Sequence, residues 1–467
     1  MSSPRMGAHQ VHPRMGQIDA ARRQASAFTF GLFIYFLVDF FLHLSARIPG
    51  YGVVRPTLLL VLLISISLFV QRDKFRGWSK NPVVASLFLL VVYLAVSLPL
   101  VEWPGSVVKN NLGDFVKAIV FFYFTVLLVD SNRRLKIFLV VFIGCQVFRV
   151  LEPLFLNLTE GYWGSRTHLG HGEFSQRLAG APSDVINPNE LGFVIVTAIP
   201  FLHYLLWSSG IKSKFLYFFV TPPLLYALIL TQSRGALLAL FVVAFFVFKE
   251  SRRKFSLILL AVFVGFSGWQ VMSDQQKDRY LSLVGLSDTS NAATADGRIE
   301  GMMREFTLGF ERPIVGHGLG TTPEAKTHIL GRRQASHNLY AELLIELGLI
   351  GTIIFLRFLS NVYRGLVENQ KSINQLALNS SGLFYINLNK ALVALFWMYA
   401  VYSLNYWGLS QYYWYLFAGI VVVFHRMSLL ALESSGDAEK VKAPAEANNR
   451  FSNLVGNRLK FNSRKSG

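Results

Sequence analysis

Arg234 stands where the sequence could build an anion site. It lies in Thr231-Gln232-Ser233-Arg234-Gly235, which ends one apolar run and opens the next. A helix N-terminus has free N–H groups, and together with a guanidinium it forms a good site for phosphate. The alternative is an arginine that reaches out to pair with lipid headgroups. Sequence physics alone leaves both readings open.

A second arginine, Arg298, follows Asp296 and Gly297 in a long polar segment. Apolar residues then recur at helical spacing, which predicts an amphipathic helix capped near Asp296 and stopped before Pro313. The predicted apolar arc holds Ile299, Met302, Met303, Phe306 and Phe310. We expect this helix to lie on the membrane surface with Arg298 at its rim. Arg304 would face solvent and pair with Glu300. An ordinary solvated arginine is the alternative for Arg298.

His337 lies in Ser336-His337-Asn338, just before another apolar run. A helix N-terminus disfavours imidazolium, so this position favours the neutral imidazole that a general base requires. A capping or interfacial histidine is the alternative. Upstream, Gly316-His317-Gly318-Leu319-Gly320 predicts a turn in which the backbone makes a close approach.

Other residue types argue against metal and thiol chemistry. His168, His171 and Glu173 are near one another, but their spacing matches no zinc pattern and His-Glu-x-x-His is absent. Cys145 is the single cysteine and sits in an apolar run, which predicts a buried thiol and excludes an intrachain disulfide. The sequence therefore predicts no metal site and no cofactor.

The composition is that of a membrane protein. The chain has 467 residues, of which 52% are hydrophobic and 15% charged, and its mean hydropathy is +0.41. Soluble domains carry roughly 25% charged residues. The net charge of +18 could indicate a nucleic-acid partner, but cytoplasmic loops of membrane proteins need the same basic excess. We therefore expect membrane lipids, and no nucleic acid, as partners.

About twelve apolar runs are long enough to be transmembrane helices, since a helix needs about 20 residues to cross the hydrocarbon core. This predicts an all-α polytopic membrane protein. The runs are 27–44, 54–70, 82–101, 112–129, 137–156, 191–208, 215–231, 235–248, 255–272, 339–359, 391–407 and 409–429.

The Lys and Arg distribution predicts the orientation. With the N-terminus inside, the inner segments hold roughly twice as many basic residues as the outer ones. Both ends are then cytoplasmic, and the polar segment 157–190 lies outside. The first run is long enough to stay as an anchor, so we predict no cleavable signal. The predicted parts are a cytoplasmic segment 1–26, helices one to nine over 27–272, a periplasmic loop 273–337 with short amphipathic helices, three helices over 338–430, and a disordered cytoplasmic tail 431–467.

Some charged residues lie inside apolar runs, where they are costly. Such residues are either functional or paired with one another. The sequence assigns them neither a partner nor a role. They are Asp39, Lys117, Arg149, Glu342 and Glu346.

The order of these motifs resembles the O-antigen ligase and O-antigen polymerase family. The motif-level match covers roughly 190–360, and the hydropathy match covers the whole chain. The motifs are Ser233-Arg234-Gly235, Gly297-Arg298, Arg312-Pro313 with Gly316, Gly318 and Gly320, His337-Asn338-Leu339-Tyr340, and Glu346-Leu347-Gly348-Leu349-Ile350-Gly351.

The resemblance implies a bacterial inner-membrane glycosyltransferase with a GT-C-type helical fold. Such enzymes move a glycan from undecaprenyl diphosphate to an acceptor hydroxyl, on lipid A-core or on a growing polysaccharide, in the periplasm. They use neither a nucleotide sugar nor a metal. The resemblance places Arg234 and Arg298 on the diphosphate and His337 as the base. One departure is Met302, where family members often carry Trp.

Several functions stay open. A ligase, a polymerase of O-antigen or exopolysaccharide, and an enzyme that transfers glycan to protein look alike in sequence. A transporter or flippase of polar lipids would show matched Gly/Pro-broken helices near the midplane. Thr221-Pro222-Pro223 and Pro200 interrupt two runs, but they have no matching pair in the other half. A receptor or structural membrane protein would leave the Arg and His residues without a use.

Overall fold

The computed structural model describes residues 24–71, 75, 80–170, 173–272, 276–277, 281, 290–331, 333–376, 380–406 and 408–433. Almost all of the regular structure in these residues is helical, which confirms the all-α class. The helices are α1 Ala27–Leu42, α2 Pro56–Val70, α3 Pro82–Ser97, α4 Leu112–Leu128, α5 Asn132–Glu160, α6 Pro188–Phe201, α7 Ile211–Thr231, α8 Arg234–Glu250, α9 Lys254–Val271, α10 Ser290–Gly309, α11 Thr322–Leu330, α12 Leu339–Ile373, α13 Ser380–Tyr402 and α14 Tyr412–Glu433.

Nine helices in the described part of the chain are long and apolar enough to cross a membrane. Each of the twelve predicted runs overlaps a helix, and the three beyond these nine fall on α1, α8 and α9. The predicted tail 431–467 lies outside the described residues from position 434 onward, as does the predicted N-terminal segment up to position 23.

Aromatic side chains fill the interior of the bundle. Phe36 on α1 and Phe121 on α4 have ring centroids 5.1 Å apart, and Phe193 on α6 lies 4.8 Å from Tyr402 on α13. Large apolar side chains also cover the outside, for example Phe219, which is 78% exposed. A chain with apolar residues on both its interior and its surface is suited to a lipid environment.

A β-hairpin interrupts the helical pattern between α5 and α6. Strand β1 (Gly164–Gly170) pairs antiparallel with β2 (Glu173–Leu178), and Gly164 lies opposite Leu178. Apolar runs gave no sign of this hairpin, because its strands are largely polar. We use the name hairpin end for the end of the bundle that carries β1 and β2.

Two of the charged residues to which the sequence assigns no partner have one inside the bundle. Arg149 on α5 donates to both carboxylate oxygens of Asp184, at 2.6 and 3.0 Å. Asp39 accepts from Thr57 at 2.7 Å. Lys117 pairs with Asp114 at 2.9 Å on an exposed surface.

The two glutamates of α12 instead accept backbone N–H groups from other segments. Glu342 accepts from Gly408 at 2.8 Å and from Leu409 at 3.2 Å, just before α14. Glu346 accepts from Gly320 at 2.6 Å and from the Thr322 hydroxyl at 2.7 Å, at the start of α11. These carboxylates therefore satisfy donors in the segments that lead into α11 and α14.

Helix α12 is broken at Gly348, whose φ of 63° and ψ of −170° are not helical. The predicted glycine turn fits into the break: the Gly318 N–H donates to the Glu346 carbonyl at 3.0 Å, and the Leu349 N–H donates to the Pro313 carbonyl at 2.6 Å. A Cβ at Gly316 would lie 2.5 Å from the Glu346 carbonyl carbon. Glycine is needed there because the two backbones touch.

Two predictions about α10 are wrong. It begins at Ser290, so Asp296 does not cap it; the alanines before Asp296 are strong helix formers and extend it. Its buried side is also different from the predicted apolar arc, since Glu305 and Leu308 are buried whereas Met303 is 62% exposed. The predicted contact between Arg304 and Glu300 is confirmed at 2.6 Å.

Candidate functional site

A cavity of about 430 Å³ opens at the hairpin end, and we call it the site cavity. Four parts of the chain line it: the start of α6, the turn between α7 and α8, one side of α10, and the segment before α12. The end of α13 and helix α11 complete the wall. Its volume falls in the range of small-ligand pockets.

Arg234 is the first residue of α8, and its side chain is buried. Its neighbours Ser233 and Gly235 both line the site cavity. Ser233 caps α8, since its hydroxyl accepts the Ala236 N–H at 3.3 Å. The turn packs so closely on α6 that a Cβ at Gly192 would lie 2.6 Å from the Ala236 Cβ. The predicted combination of an arginine with a helix N-terminus is therefore present in a turn that reaches the cavity wall through Ser233 and Gly235, while Arg234 itself is not one of the lining residues.

Strand β2 holds this turn in place. Gln232 has a left-handed φ of 50°, a conformation that costs a non-glycine residue about 1–2 kcal/mol. Its side chain accepts from the Ser175 hydroxyl at 2.9 Å and donates to the Gln176 carbonyl at 2.8 Å. Arg177 adds bonds to the Thr231 carbonyl at 2.9 Å and to Asn189 Oδ1 at 3.0 Å. These residues cannot be recognised in the sequence, because short polar strands carry no hydrophobic signal.

The segment that joins the hairpin to α6 is anchored by Asp184. Burial raises the pKa of this carboxyl, but hydrogen bonds from His43 and Arg149 outweigh burial and leave the pKa below its usual value. Asp184 is therefore an ionised partner for Arg149, whose role the sequence left open. The pair fixes the chain just before Asn187, which caps α6.

Position 298 lies on α10, one turn before Met302 and two turns before Glu305. Met302 and Glu305 both line the site cavity. The helix register therefore carries position 298 on the side of α10 that meets the cavity. The role of Arg298 stays a prediction.

His337 precedes the capping residue of α12, Asn338, and lines the site cavity with an exposed ring. Its Nε2 lies 3.0 Å from Gln334 Nε2. An amide nitrogen can only donate, so in this contact the imidazole Nε2 is the acceptor and carries the lone pair. An imidazole nitrogen that accepts a hydrogen bond at the cavity wall has the form that a general base needs.

The backbone on either side of His337 is fixed by a buried ion pair. Lys326 on α11 donates to Glu305 on α10 and to the Ala335 carbonyl at 3.0 Å. The Ser336 hydroxyl donates to Glu305 Oε2 at 2.7 Å and accepts the Asn338 N–H at 3.0 Å. Glu305 and Lys326 both line the cavity. In sequence they look like ordinary loop charges, and nothing there marks them as a buried pair.

The residues considered for a metal do not form a ligand set in the described part of the chain, where no group of three His, Cys, Asp or Glu side chains could hold an ion. His168 lies on β1 and Glu173 on β2, while His171 lies outside the described residues. Cys145 is buried, as predicted.

Comparison with protein families gives a match over the middle of the chain. Residues 219–356 match the family model described as O-antigen ligase. This segment runs from within α7 to within α12 and contains Arg234, Arg298 and His337. No curated protein is significantly similar to the chain. This match supports the resemblance to the O-antigen ligase and polymerase family that the order of the sequence motifs indicates.

Proposed function

We propose that this protein transfers a glycan from undecaprenyl diphosphate to an acceptor hydroxyl at the periplasmic face of the bacterial inner membrane. Arg234 and Arg298 bind the diphosphate, and His337 is the general base. One observation carries the proposal: the two neighbours of Arg234, the cavity side of α10 that follows position 298, and His337 all line one cavity.

The charge on the leaving group gives the two arginines their role. As the bond between the anomeric carbon and the diphosphate oxygen breaks, negative charge develops on the diphosphate. Guanidinium groups and a helix N-terminus stabilise that charge through charge-assisted hydrogen bonds. Arg234, as the first residue of α8, offers both. The energy of transfer is held in the donor bond, so the reaction requires neither nucleotide nor metal.

The acceptor hydroxyl must lose a proton, which gives the histidine its role. His337 Nε2 takes the proton from the acceptor hydroxyl while its oxygen forms a bond to the anomeric carbon. The hydroxyl occupies the place where Gln334 now contacts Nε2. Attack on the face opposite the diphosphate inverts the anomeric centre. A ligase and a polymerase share this chemistry and differ in the acceptor that reaches the cavity.

Purified protein tests the proposal when it is mixed with an undecaprenyl-diphosphate glycan and either lipid A-core or a second lipid-linked repeat unit, without nucleotide and with EDTA. We expect transfer to one acceptor class, which separates ligase from polymerase. His337→Ala should lower the turnover about 10²–10⁴-fold while donor binding persists.

The matched control is His328→Ala. His328 is an exposed histidine on α11 that stacks on Trp103 outside the site cavity, and its loss should leave turnover unchanged. Turnover near the wild-type level in His337→Ala would mean that this histidine is only an interfacial residue. Loss of transfer in EDTA that a divalent ion restores would contradict the metal-free mechanism.

A further inference from the structure

One wall of the site cavity is made of carboxamides. Asn189 at the start of α6, Asn338 at the start of α12 and Asn405 after α13 all line the cavity. They come from distant parts of the sequence, and only the fold brings them together. The buried Tyr402 lies on the same wall.

The structure already uses the acceptor oxygens of two of these side chains. Asn189 Oδ1 accepts from Arg177 at 3.0 Å. Asn338 Oδ1 accepts the N–H groups of Tyr340 at 2.8 Å and Ala341 at 3.1 Å. Each side chain is therefore oriented, and the hydrogen-bonding group that remains is the NH₂ donor.

The donors are not satisfied by the protein. Asn338 is 2% exposed, and its Nδ2 has no hydrogen-bond partner among the described residues. Within the same residues, no hydrogen bond uses the side chain of Asn405, which is exposed. A buried donor without a partner is costly, so the Asn338 donor indicates a ligand that brings an acceptor oxygen. Asn405 offers a second donor to a ligand in the same cavity.

The wall lies between the two ends of the proposed reaction. Asn405 is next to the Arg234 turn, since a Cβ at Gly235 would lie 3.7 Å from the Asn405 Cβ. Asn338 directly follows His337. The anomeric carbon must sit between the leaving group and the base. The sugar ring that carries this carbon therefore lies against the carboxamides.

We propose that Asn189, Asn338 and Asn405 form a subsite for the first sugar of the donor, the ring attached to the diphosphate. Their NH₂ groups recognise uncharged acceptors on that ring, namely hydroxyl and acetamido oxygens. Charged sugars have no counter-ion on this wall, because Glu305 and Lys326 neutralise each other. The inference rests on the proposed function and specifies its substrate.

Two variants remove a carboxamide NH₂ group and keep the local structure. Asn338→Ser keeps a residue that caps helices well, and Asn405→Ala removes a side chain without hydrogen bonds among the described residues. The control is Asn110→Ala. Asn110 is exposed and lies in the segment before α4, in which Ser106 contacts Glu324 of α11. Two undecaprenyl-diphosphate donors serve as probes, one whose first sugar is an N-acetylhexosamine and one whose first sugar is the matching 2-deoxyhexose.

With the N-acetyl donor, we expect each variant to lower kcat/KM about 3- to 10-fold, the size of one neutral hydrogen bond. With the 2-deoxy donor, at least one variant should differ little from the wild type, because the bond is already missing. Equal losses with both donors, or no loss with either, would overturn the subsite. In both cases the wild-type protein would still transfer glycan, so the proposed function would hold. If the wild-type protein transfers no glycan, the proposed function itself is wrong.

Discussion

Two arginine positions on α10 lie on different sides of the helix. Arg304 pairs with Glu300 on an exposed face, a contact that contributes about 0.2–0.5 kcal/mol. Position 298 lies on the side of the helix that meets the site cavity. We therefore expect Arg298→Ala and Arg234→Ala to abolish most transfer, while Arg304→Ala leaves it nearly unchanged. Glycan transfer in membranes at matched protein levels measures the difference.

Lysine should rescue Arg298 only in part, because an ammonium cannot reproduce the bidentate geometry of a guanidinium on a phosphate. Arg304→Ala is the control for protein level and helix integrity. An active Arg298→Ala protein together with an inactive Arg304→Ala protein would reverse the assignment. Arg304 would then belong to the substrate site, and the alignment through Met302 would need to be redrawn.

Variants of the Glu305–Lys326 pair distinguish an effect on the stability of the protein from an effect on the position of His337. Loss of one partner leaves a buried charge alone, so Glu305→Gln or Lys326→Met should lower the free energy of unfolding by about 3–5 kcal/mol. The double variant Glu305→Leu/Lys326→Met should recover much of that stability. It should not recover kcat, because Ser336 and the Ala335 carbonyl still lose their partners beside His337. Thermal unfolding and kcat are measured on the same preparations. Full recovery of kcat would show that the pair is structural only.

The sequence makes Arg234 and His337 candidates because both stand at predicted helix starts, where the helix dipole acts on a charge or an imidazole. Glu305 and Lys326 could not be found in this way. Each is a charge in a polar segment, and only the folded chain brings α10 and α11 together to bury them. Asn189 and Asn405 were missed for the same reason.

At the scale of elements, the hairpin supports the Arg234 turn. Arg177→Ala removes the bonds to Thr231 and Asn189, and hydrogen bonds to a charged group contribute about 1.5–3 kcal/mol each. We expect kcat to fall by at least tenfold, because the left-handed Gln232 turn loses one of its supports. Arg166→Ala on β1 is the matched control, since Arg166 is exposed. Equal activity of the two variants would contradict a supporting role for β2.

Apolar runs predicted the helices well, because a membrane-spanning helix needs a continuous apolar sequence. The same reasoning could not predict the hairpin, whose buried residues Ser175 and Arg177 are polar. It also misjudged α10, where the buried Glu305 replaces an apolar residue on the packed side. Hydropathy does not predict a buried polar residue whose hydrogen-bonding groups are paired with a specific partner.

At the scale of the whole molecule, the orientation can be tested with the chain's own chemistry. Cys145 is the single cysteine and is buried, so an introduced cysteine is the reactive one. Arg166 on β1 and Arg252 between α8 and α9 are both exposed. In intact spheroplasts, a membrane-impermeant maleimide should label Arg166→Cys and leave Arg252→Cys unlabelled, as the excess of basic residues on the inner side predicts.

After detergent permeabilisation, both variants should be labelled, which controls for reactivity. The unsubstituted chain should stay unlabelled in both conditions and so controls for Cys145. Labelling of Arg252→Cys alone in intact spheroplasts would invert the topology. The site cavity would then face the cytoplasm, and the periplasmic part of the proposed function would be wrong.

The break at Gly348 divides α12 into two parts. The first part, residues 339–347, follows His337 directly, and its carboxylates Glu342 and Glu346 are buried in the protein. The second part begins apolar but carries Arg357, Arg364, Glu368 and Lys371 further along. An apolar length of about 20 residues therefore includes residues on both sides of the glycine. We expect a change in the thickness of the host membrane to act on the angle at Gly348, and through it on the position of His337.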